Sequence, residues 1–412
     1  MRAEARIDRF PIVLFTNSFI MGGMEEHLLL LGRELVRRGF TVAAICSPAD
    51  EILALRAGLE AAGVAVHAPG HRGSGWPGAI ARLIELIRIL RRYRGCVLHI
   101  HSTGYHGGDL PTVAARLSGA RAVVRTEHVP PQPPISWRHK VQVRLRDRLL
   151  ARIVCVSEQN RVEHIAQLGR DPARFQVVLN GCDLARFAPG VDPSDVYVEL
   201  GLPPTAPIVG VVARLGEERK GVNFFLDMAA EIARTRPDVA FLVVGDGPLR
   251  PQLEGQAADL GLADRIFFIG EREDVPRLIA AMRVFVMPSL YEGCQYTLME
   301  AMAMARPIVS TPAGVAPDVV EDLVTGRRVP FADGHALALG VLDLLENEDL
   351  ANRMGRQARS VALEAFSVDR MVNDLVDVYR RATDRQSEPA SRRRAWSTSI
   401  TRPPLSDGGQ RA

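Results

Sequence analysis

Glu292 and Glu300 stand in the segment Pro288-Ser-Leu-Tyr-Glu-Gly-Cys-Gln-Tyr-Thr-Leu-Met-Glu-Ala-Met-Ala303. The segment follows Val284-Phe-Val-Met287, an apolar run that reads as a buried strand. It leads into residues 297–305, rich in Leu, Met and Ala, which read as a helix. One carboxylate at a strand-to-helix turn and a second about two turns later offer acceptors at two depths of one cleft. Vicinal hydroxyls of a ribose and of a hexose want such acceptors. A bare pair of acids would serve equally as the solvated face of an amphipathic helix, so the neighbouring loops decide.

Three other places could take part in the same chemistry. In Val212-Ala-Arg-Leu-Gly-Glu-Glu-Arg-Lys-Gly221, Arg214 leaves an expected strand and Lys220 starts the next helix. Two cations converging from one loop can neutralise a diphosphate leaving group, though a surface Arg and Lys would look the same. In Ser18-Phe-Ile-Met-Gly-Gly-Met-Glu-Glu-His27, Gly22 and Gly23 open a helix and let backbone amides approach an anion. This is neither a Walker A loop nor Gly-x-Gly-x-x-Gly, and a glycine turn alone says little. His99 and His101 alternate in Val97-Leu-His-Ile-His101 and so share one face of a strand, and His128 follows the next strand. A metal site needs a third ligand and usually a carboxylate nearby. Packing or hydrogen bonding is the ordinary role for His99. No Asp-x-Asp occurs in the chain to hold a divalent cation on a diphosphate, so no metal and no cofactor are expected.

Strands and helices alternate along the chain, and this alternation must position those loops. Candidate strands are 11–15, 41–46, 64–67, 97–100, 122–126, 153–156 and 176–179, with helical periods at 25–38, 76–93 and 158–168 among them. The scheme repeats with strands at 207–213, 240–245, 266–269, 284–287 and 307–310. Alternation of this kind implies an α/β fold of two Rossmann-like domains with parallel sheets, ligands sitting beyond the carboxyl ends of the strands. The expected division is 1–182 for the first domain, a turn-rich linker at 183–206, 207–384 for the second domain and a disordered basic tail at 385–412.

With 412 residues, 47% hydrophobic and 24% charged, the chain has the composition of a globular protein with two cores. No apolar run approaches the ~20 residues that span a bilayer, and the charged N-terminus lacks the apolar stretch of a secretory signal. Five scattered cysteines without Cys-x-x-Cys suit a reducing cytosol. The net charge of +3 hides an asymmetry: 25 − 15 = +10 over 1–180, 20 − 31 = −11 over 181–384, and 6 − 2 = +4 over 385–412. The basic first half implies an anionic partner. Arg82, Arg88, Arg91, Arg92 and Arg94 flank Leu83, Ile87 and Leu90, and 137–152 is dense in cations, so either segment could be a basic helix on anionic lipid or a core helix with a solvated back. No aromatic platform accompanies the cations, which argues against nucleic acid.

The pattern Glu-Gly-x6-Glu-Ala-Met-Ala, with the Arg214/Lys220 loop and the Gly-Gly-x-Glu segment, resembles retaining glycosyltransferases of the GT-B fold, family four. The resemblance runs to about residue 380 and is strongest over 207–330. It implies two Rossmann-like domains facing across a cleft. It implies transfer of a sugar from a nucleoside diphosphate to a lipid-linked or glycan acceptor, in cell-surface polysaccharide or glycolipid synthesis, by a metal-independent hexosyltransferase. The resemblance places Gly22, Gly23 and Glu25 near the donor diphosphate and matches Arg214 and Lys220 to the family's two cations. It places Glu292 on the donor sugar, Glu300 on the ribose hydroxyls, the amides of Cys294 and Gln295 near phosphate, Arg272 in the loop that holds the base, and His128 near the sugar, with His101 one strand earlier. Cys294-Gln295 stands where Phe-Gly or Phe-Pro is commoner, and one extra residue precedes Lys220. A cytoplasmic enzyme, peripheral at the inner face of the membrane, follows from that kinship. The same fold leaves open a nucleotide-sugar epimerase or hydrolase, or a silent nucleotide-sugar-binding protein.

Overall fold

The structure, a computed structural model, describes residues 10–70, 75–102 and 108–384. The charged N-terminus and the basic tail at 385–412 lie outside the described residues. The first sheet holds β1 (Ile12–Thr16), β2 (Val42–Ile45), β3 (Ala65–His67), β4 (Val97–Ser102), β5 (Ala122–Glu127), β6 (Arg152–Cys155) and β7 (Phe175–Val177). All its pairings are parallel, in the order β3-β2-β1-β4-β5-β6-β7. The second sheet holds β8 (Ile208–Val212), β9 (Ala240–Val244), β10 (Ile266–Phe268), β11 (Met282–Met287), β12 (Ile308–Ser310) and β13 (Arg327–Arg328). It too is parallel, in the order β10-β9-β8-β11-β12-β13. The two-residue strand β13 is too short and too charged to show an apolar period.

Each sheet is covered on both faces, which is why its strands read as continuous apolar runs. Every residue of β4 and β5 is buried. Side chains alternate between two cores: Ile12 and Leu14 of β1 join one cluster, and Val13 joins the other. In the second sheet Leu242 and Phe285 share one core, and Phe241 and Val284 the other.

The chain departs from the expected division at its end. The helix Glu348–Ala365 packs on the second half through Ala358 and Ala362. The next helix, Val368–Thr383, packs on the first half, its face of Met371, Val372, Leu375, Val378 and Tyr379 buried with Leu28, Leu31 and Leu35. Each such side chain contributes about 1.5–3 kcal/mol when fully buried. Arg38 adds contacts to Asn373 and Asp369. The crossing is short: Cys182 N donates to Phe366 O at 2.8 Å, and a Cβ on Gly181 would lie 2.9 Å from Val368 Cα. The expected linker likewise holds a helix, Ser194–Glu199, whose Val196 is buried in a second-half core.

In both sheets the strand order reverses beside the first strand of the half. The reversal lies between β1 and β4 in one and between β8 and β11 in the other. Loops leaving these strands at their carboxyl ends frame a crevice.

Candidate active site

On the second-half wall the loops after β8 and β11 meet. Gly221 is in the left-handed region (φ +67°), and a Cβ there would lie 2.1 Å from Pro288 O, so only glycine lets the loops touch. Lys220 Nζ donates to Glu292 Oε1 at 2.5 Å, and Arg219 Nη1 donates to Glu292 Oε2 at 2.8 Å and to Tyr291 O at 3.1 Å. Ser289 Oγ reaches Glu292 Oε1 at 3.3 Å. Arg219 also binds Glu217, whose Oε1 accepts from Arg214 Nη2 at 3.2 Å. The result is an alternating row of formal charges: Arg214, Glu217, Arg219, Glu292, Lys220. Arg214 and Lys220 therefore arrive with acids that an incoming anion can replace as partners. Arg219, which the sequence reading passed over, touches both acids.

Beyond this row, Gln295 precedes the helix Tyr296–Ala303, and no side chain caps its first turn. Its leading amides are free to face an anion. The Gln295 side chain is committed elsewhere: Nε2 donates to Ala313 O at 2.7 Å, and Oε1 accepts from Val315 N at 3.2 Å, which holds the glycine turn at 311–315. Burial pushes the Cys294 thiol up to about 12, so it is no thiolate nucleophile. Glu300 keeps some accessible surface, but desolvation of its carboxyl, helped by Glu26 from the first half and opposed by Arg186, pushes it up to about 8. Arg272 is not in the cluster. Its guanidinium pairs with Asp274 at 2.8 Å and with Glu199 at 2.5 Å.

On the first-half wall, Gly22 and Gly23 open the helix Gly23–Arg37; Gly22 at the N-cap has no side chain to offer, and the Glu25 carboxylate instead meets the backbone of Gly22. A Cβ on Gly23 would lie 2.9 Å from the Tyr296 ring, so the two loops abut. Glu25 is buried, and its Oε1 has no hydrogen-bond partner among the described residues. Desolvation raises its carboxyl, while Ser18 and, across the cleft, Arg214 pull it down.

Four histidines floor this wall. His99 is the packed residue expected, with Nδ1 2.7 Å from Tyr379 Oη and Nε2 2.7 Å from Thr126 Oγ1. His101 Nδ1 lies 3.1 Å from His128 Nε2. His27, one turn into the first helix, sets Nδ1 3.0 Å from Asn180 Oδ1. Desolvation holds His99, His101 and His128 well below the ordinary imidazole range, each depressed further by its histidine neighbours, and lowers His27 to about 4 despite the Asn180 contact. At neutral pH these rings are uncharged bases.

His128 is tied to both halves. A Cβ on Gly293 would lie 1.8 Å from His128 O, and Tyr291 Oη donates to Pro130 O, so the backbone beside Glu292 rests on the backbone of His128. Behind it lies a buried ionic core. Glu127 Oε1 accepts from Arg125 Nε and Arg170 Nη1, both at 2.8 Å, and Arg170 Nε donates to Asp147 Oδ2 at 2.7 Å. Burial works against the Glu127 anion, but Arg125, Arg170, His164 and Arg146 outweigh it and hold the carboxyl well below the usual range. Sequence reasoning missed Arg219, His27, Asn180 and this core. For His27 a signal existed, since it lies four residues after Gly23 and so shares the glycine end of the helix.

Known proteins match at three levels. The family described as Glycosyltransferase Family 4 matches residues 21–186, and Glycosyl transferases group 1 matches 206–347. The UDP-Gal:alpha-D-GlcNAc-diphosphoundecaprenol alpha-1,3-galactosyltransferase of Escherichia coli is 27% identical over 306 residues, 72% of this chain and 78% of that one. The GDP-mannose-dependent alpha-(1-6)-phosphatidylinositol monomannoside mannosyltransferase of Mycolicibacterium smegmatis is 30% identical over 263 residues, 61% of this chain and 68% of that one. The crystal structure of Anabaena Alr3699/HepE in complex with UDP superposes with a TM-score of 0.79 at 21% identity, covering 90% of this chain and 99% of that one. The two share the fold.

Proposed function

The chain belongs to the GT-B glycosyltransferases of group 1 and family 4, and from that premise we propose that it is a retaining, metal-independent enzyme moving a hexose from a nucleoside diphosphate to a lipid-linked or glycan acceptor. The observation that carries the reading is the Lys220–Glu292 contact of 2.5 Å at the point where the strand order reverses, facing the helix start at Gly22 and Gly23. The diphosphate takes Lys220, Arg214 and the amides at the two helix starts, and positive charge meets the leaving group as it departs. Arg219 then keeps Glu217 and Glu292 paired. Glu292 accepts from hydroxyls of the donor sugar and Glu300 from the ribose diol. His128 lies on the opposite wall with its ring uncharged, placed to accept from the sugar. No side chain is offered as a covalent nucleophile, so the acceptor hydroxyl attacks from the face the diphosphate leaves. The contact of Gly293 with His128 brings the two walls together and excludes water from that reaction.

The lipid acceptor is supported by the outer surface of the first half. Among the described residues no helix is long and apolar enough to cross a membrane. Three helices instead expose apolar residues at four-residue spacing: Trp76, Ile80 and Ile84 on Gly75–Arg92, Val113 and Leu117 on Asp109–Ser118, and Trp137, Val141 and Leu145 on Trp137–Asp147. Leu90, read from sequence as facing either anionic lipid or the core, is buried, and Leu83 and Ile87 pack against the same core. The exposed stripe is its neighbour, and Trp76 and Trp137 are 84% and 70% exposed. Exposed Arg88, Arg91, Arg92, Arg94, Arg138 and Arg148 flank it. Aromatic and aliphatic groups beside cations suit the headgroup level of an anionic membrane, and cell-surface polysaccharide or glycolipid synthesis at the cytoplasmic face follows.

The test is donor consumption by the purified chain in EDTA, with UDP- and GDP-hexoses, with and without a polyprenyl-diphosphate sugar or an inositol lipid. Acceptor-dependent release of nucleoside diphosphate and an α-linked product from an α-linked donor are expected. Turnover without acceptor would point to an epimerase or hydrolase. Binding without turnover would point to a silent binder, and an absolute need for Mg²⁺ or Mn²⁺ would overturn metal independence.

A further inference from the structure

We propose that His27, His101 and His128 form a binding site for a Zn²⁺-class transition-metal dication, and that filling it switches the enzyme off. The sequence supplies two histidines for such a site, and the fold brings the third from the first helix. One nitrogen of each ring lies within 4.8 Å of the other two. The ring centroids form a nearly equilateral triangle, with His27–His101 at 5.2 Å, His27–His128 at 5.1 Å and His101–His128 at 5.4 Å. Three imidazoles on a tetrahedral ion, with metal–nitrogen bonds of about 2.0–2.1 Å, put their centroids about 5 Å apart. The same geometry separates two ligand nitrogens by about 3.3 Å. His101 Nδ1 and His128 Nε2 already stand 3.1 Å apart.

The donors are also in a suitable state. His27 Nδ1 faces the Asn180 carbonyl oxygen, which fixes the hydrogen on that nitrogen and leaves the lone pair on Nε2. Nε2 is buried and has no hydrogen-bond partner among the described residues. His101 Nε2 is likewise buried and without a partner. When the ion arrives, the proton held between His101 Nδ1 and His128 Nε2 moves to the far nitrogen of whichever ring carries it, and His101 Nε2 has no partner to lose. Neutral imidazoles suit Zn²⁺, Co²⁺ or Ni²⁺ and not Mg²⁺. Three protein ligands leave a fourth position for water. This inference rests on the reading above only for its consequence: the ion occupies His128 and sets a positive charge beside the donor sugar. Metal binding itself can be measured whatever the enzyme does.

The full chain, freed of any polyhistidine tag, is titrated with Co²⁺ and then Zn²⁺. One equivalent of Co²⁺ is expected to give the visible absorption of a tetrahedral ion without a cobalt–thiolate charge-transfer band. One equivalent of Zn²⁺ should displace it, and Mg²⁺ should have no effect. Asn180→Ala keeps all three ligands and should lower affinity about 10- to 100-fold, while His27→Gln should lower it at least as far. Turnover, if present in EDTA, should fall to background with one equivalent of Zn²⁺ and return with chelator. Absence of the tetrahedral spectrum in the wild-type chain, a thiolate band, or equal affinity in His27→Gln with unchanged thermal melting would overturn the proposal.

Discussion

The two walls of the cleft handle charge in opposite ways. The second-half wall lines up Arg214, Glu217, Arg219, Glu292 and Lys220 in contact with one another, and the cations at the ends remain partly accessible, with Arg214 at 45% and Lys220 at 22% side-chain exposure. The first-half wall buries four imidazoles until they are neutral and hides its charges behind them, in a core where Arg125, Glu127 and Arg170 are inaccessible. A row of pairs at a solvent edge can exchange partners at little cost. A sealed network cannot, because a charge left alone in a low-dielectric interior costs several kcal/mol. The second wall is thus built to meet a charged ligand, and the first to hold uncharged groups still.

Four measurements would break or sharpen that contrast. The largest effect belongs to the sealed network. Arg170→Met removes one of the two cations hydrogen-bonded to Glu127 and both Arg170 hydrogen bonds to Asp147, and should cost about 3–5 kcal/mol in urea unfolding, whereas Arg214→Met, at the open edge, should cost under about 1 kcal/mol. Equal losses would erase the distinction. Next, on the proposed role of Lys220 at the departing diphosphate, Lys220→Ala should lower kcat about 10²- to 10³-fold with little loss of stability.

Glu300 gives the third. Its carboxyl is raised from 4.5 to about 8 in the folded chain, so its contribution to stability is fully present below about pH 4.5 and is lost progressively as pH rises through about 8. In its proposed role at the ribose diol, Glu300 acts in the ionised form. Donor affinity should therefore rise up to ~tenfold per unit as pH climbs from 6 toward 8, with a proton released on binding. Glu300→Gln should bind the donor weakly and abolish that slope, and a slope surviving in the variant would assign the titration to another group. The smallest effect is Tyr291→Phe. It removes one hydrogen bond between the halves, worth about 1 kcal/mol, and should raise the donor KM roughly fivefold while the melting temperature hardly moves.

Much of this molecule is legible without coordinates. The apolar runs at 122–126, 208–212 and 284–287 reach both faces of a covered sheet, so periodicity finds them, and the loop chemistry at Arg214, Lys220 and Glu292 converges where the strand orders reverse. The rest was hidden for reasons of range. Arg219 looks like a surface residue until Glu292, far along the chain, is folded against it. Arg272 looks like a free cation until Glu199 of the supposed linker claims it. Val368–Thr383 announces a strongly amphipathic face, but no local signal says which half will cover it.

What the order of residues determined alone is the repeating strand–helix grammar, the parallel sheets, and the kinds of groups at the strand ends, because these depend on neighbours a few positions away. The tertiary structure decided which charges find partners, which histidines lose theirs, and that His27 stands beside His101 and His128. Those outcomes depend on distance and on desolvation, and both are set only when segments remote in the chain exclude water from one another.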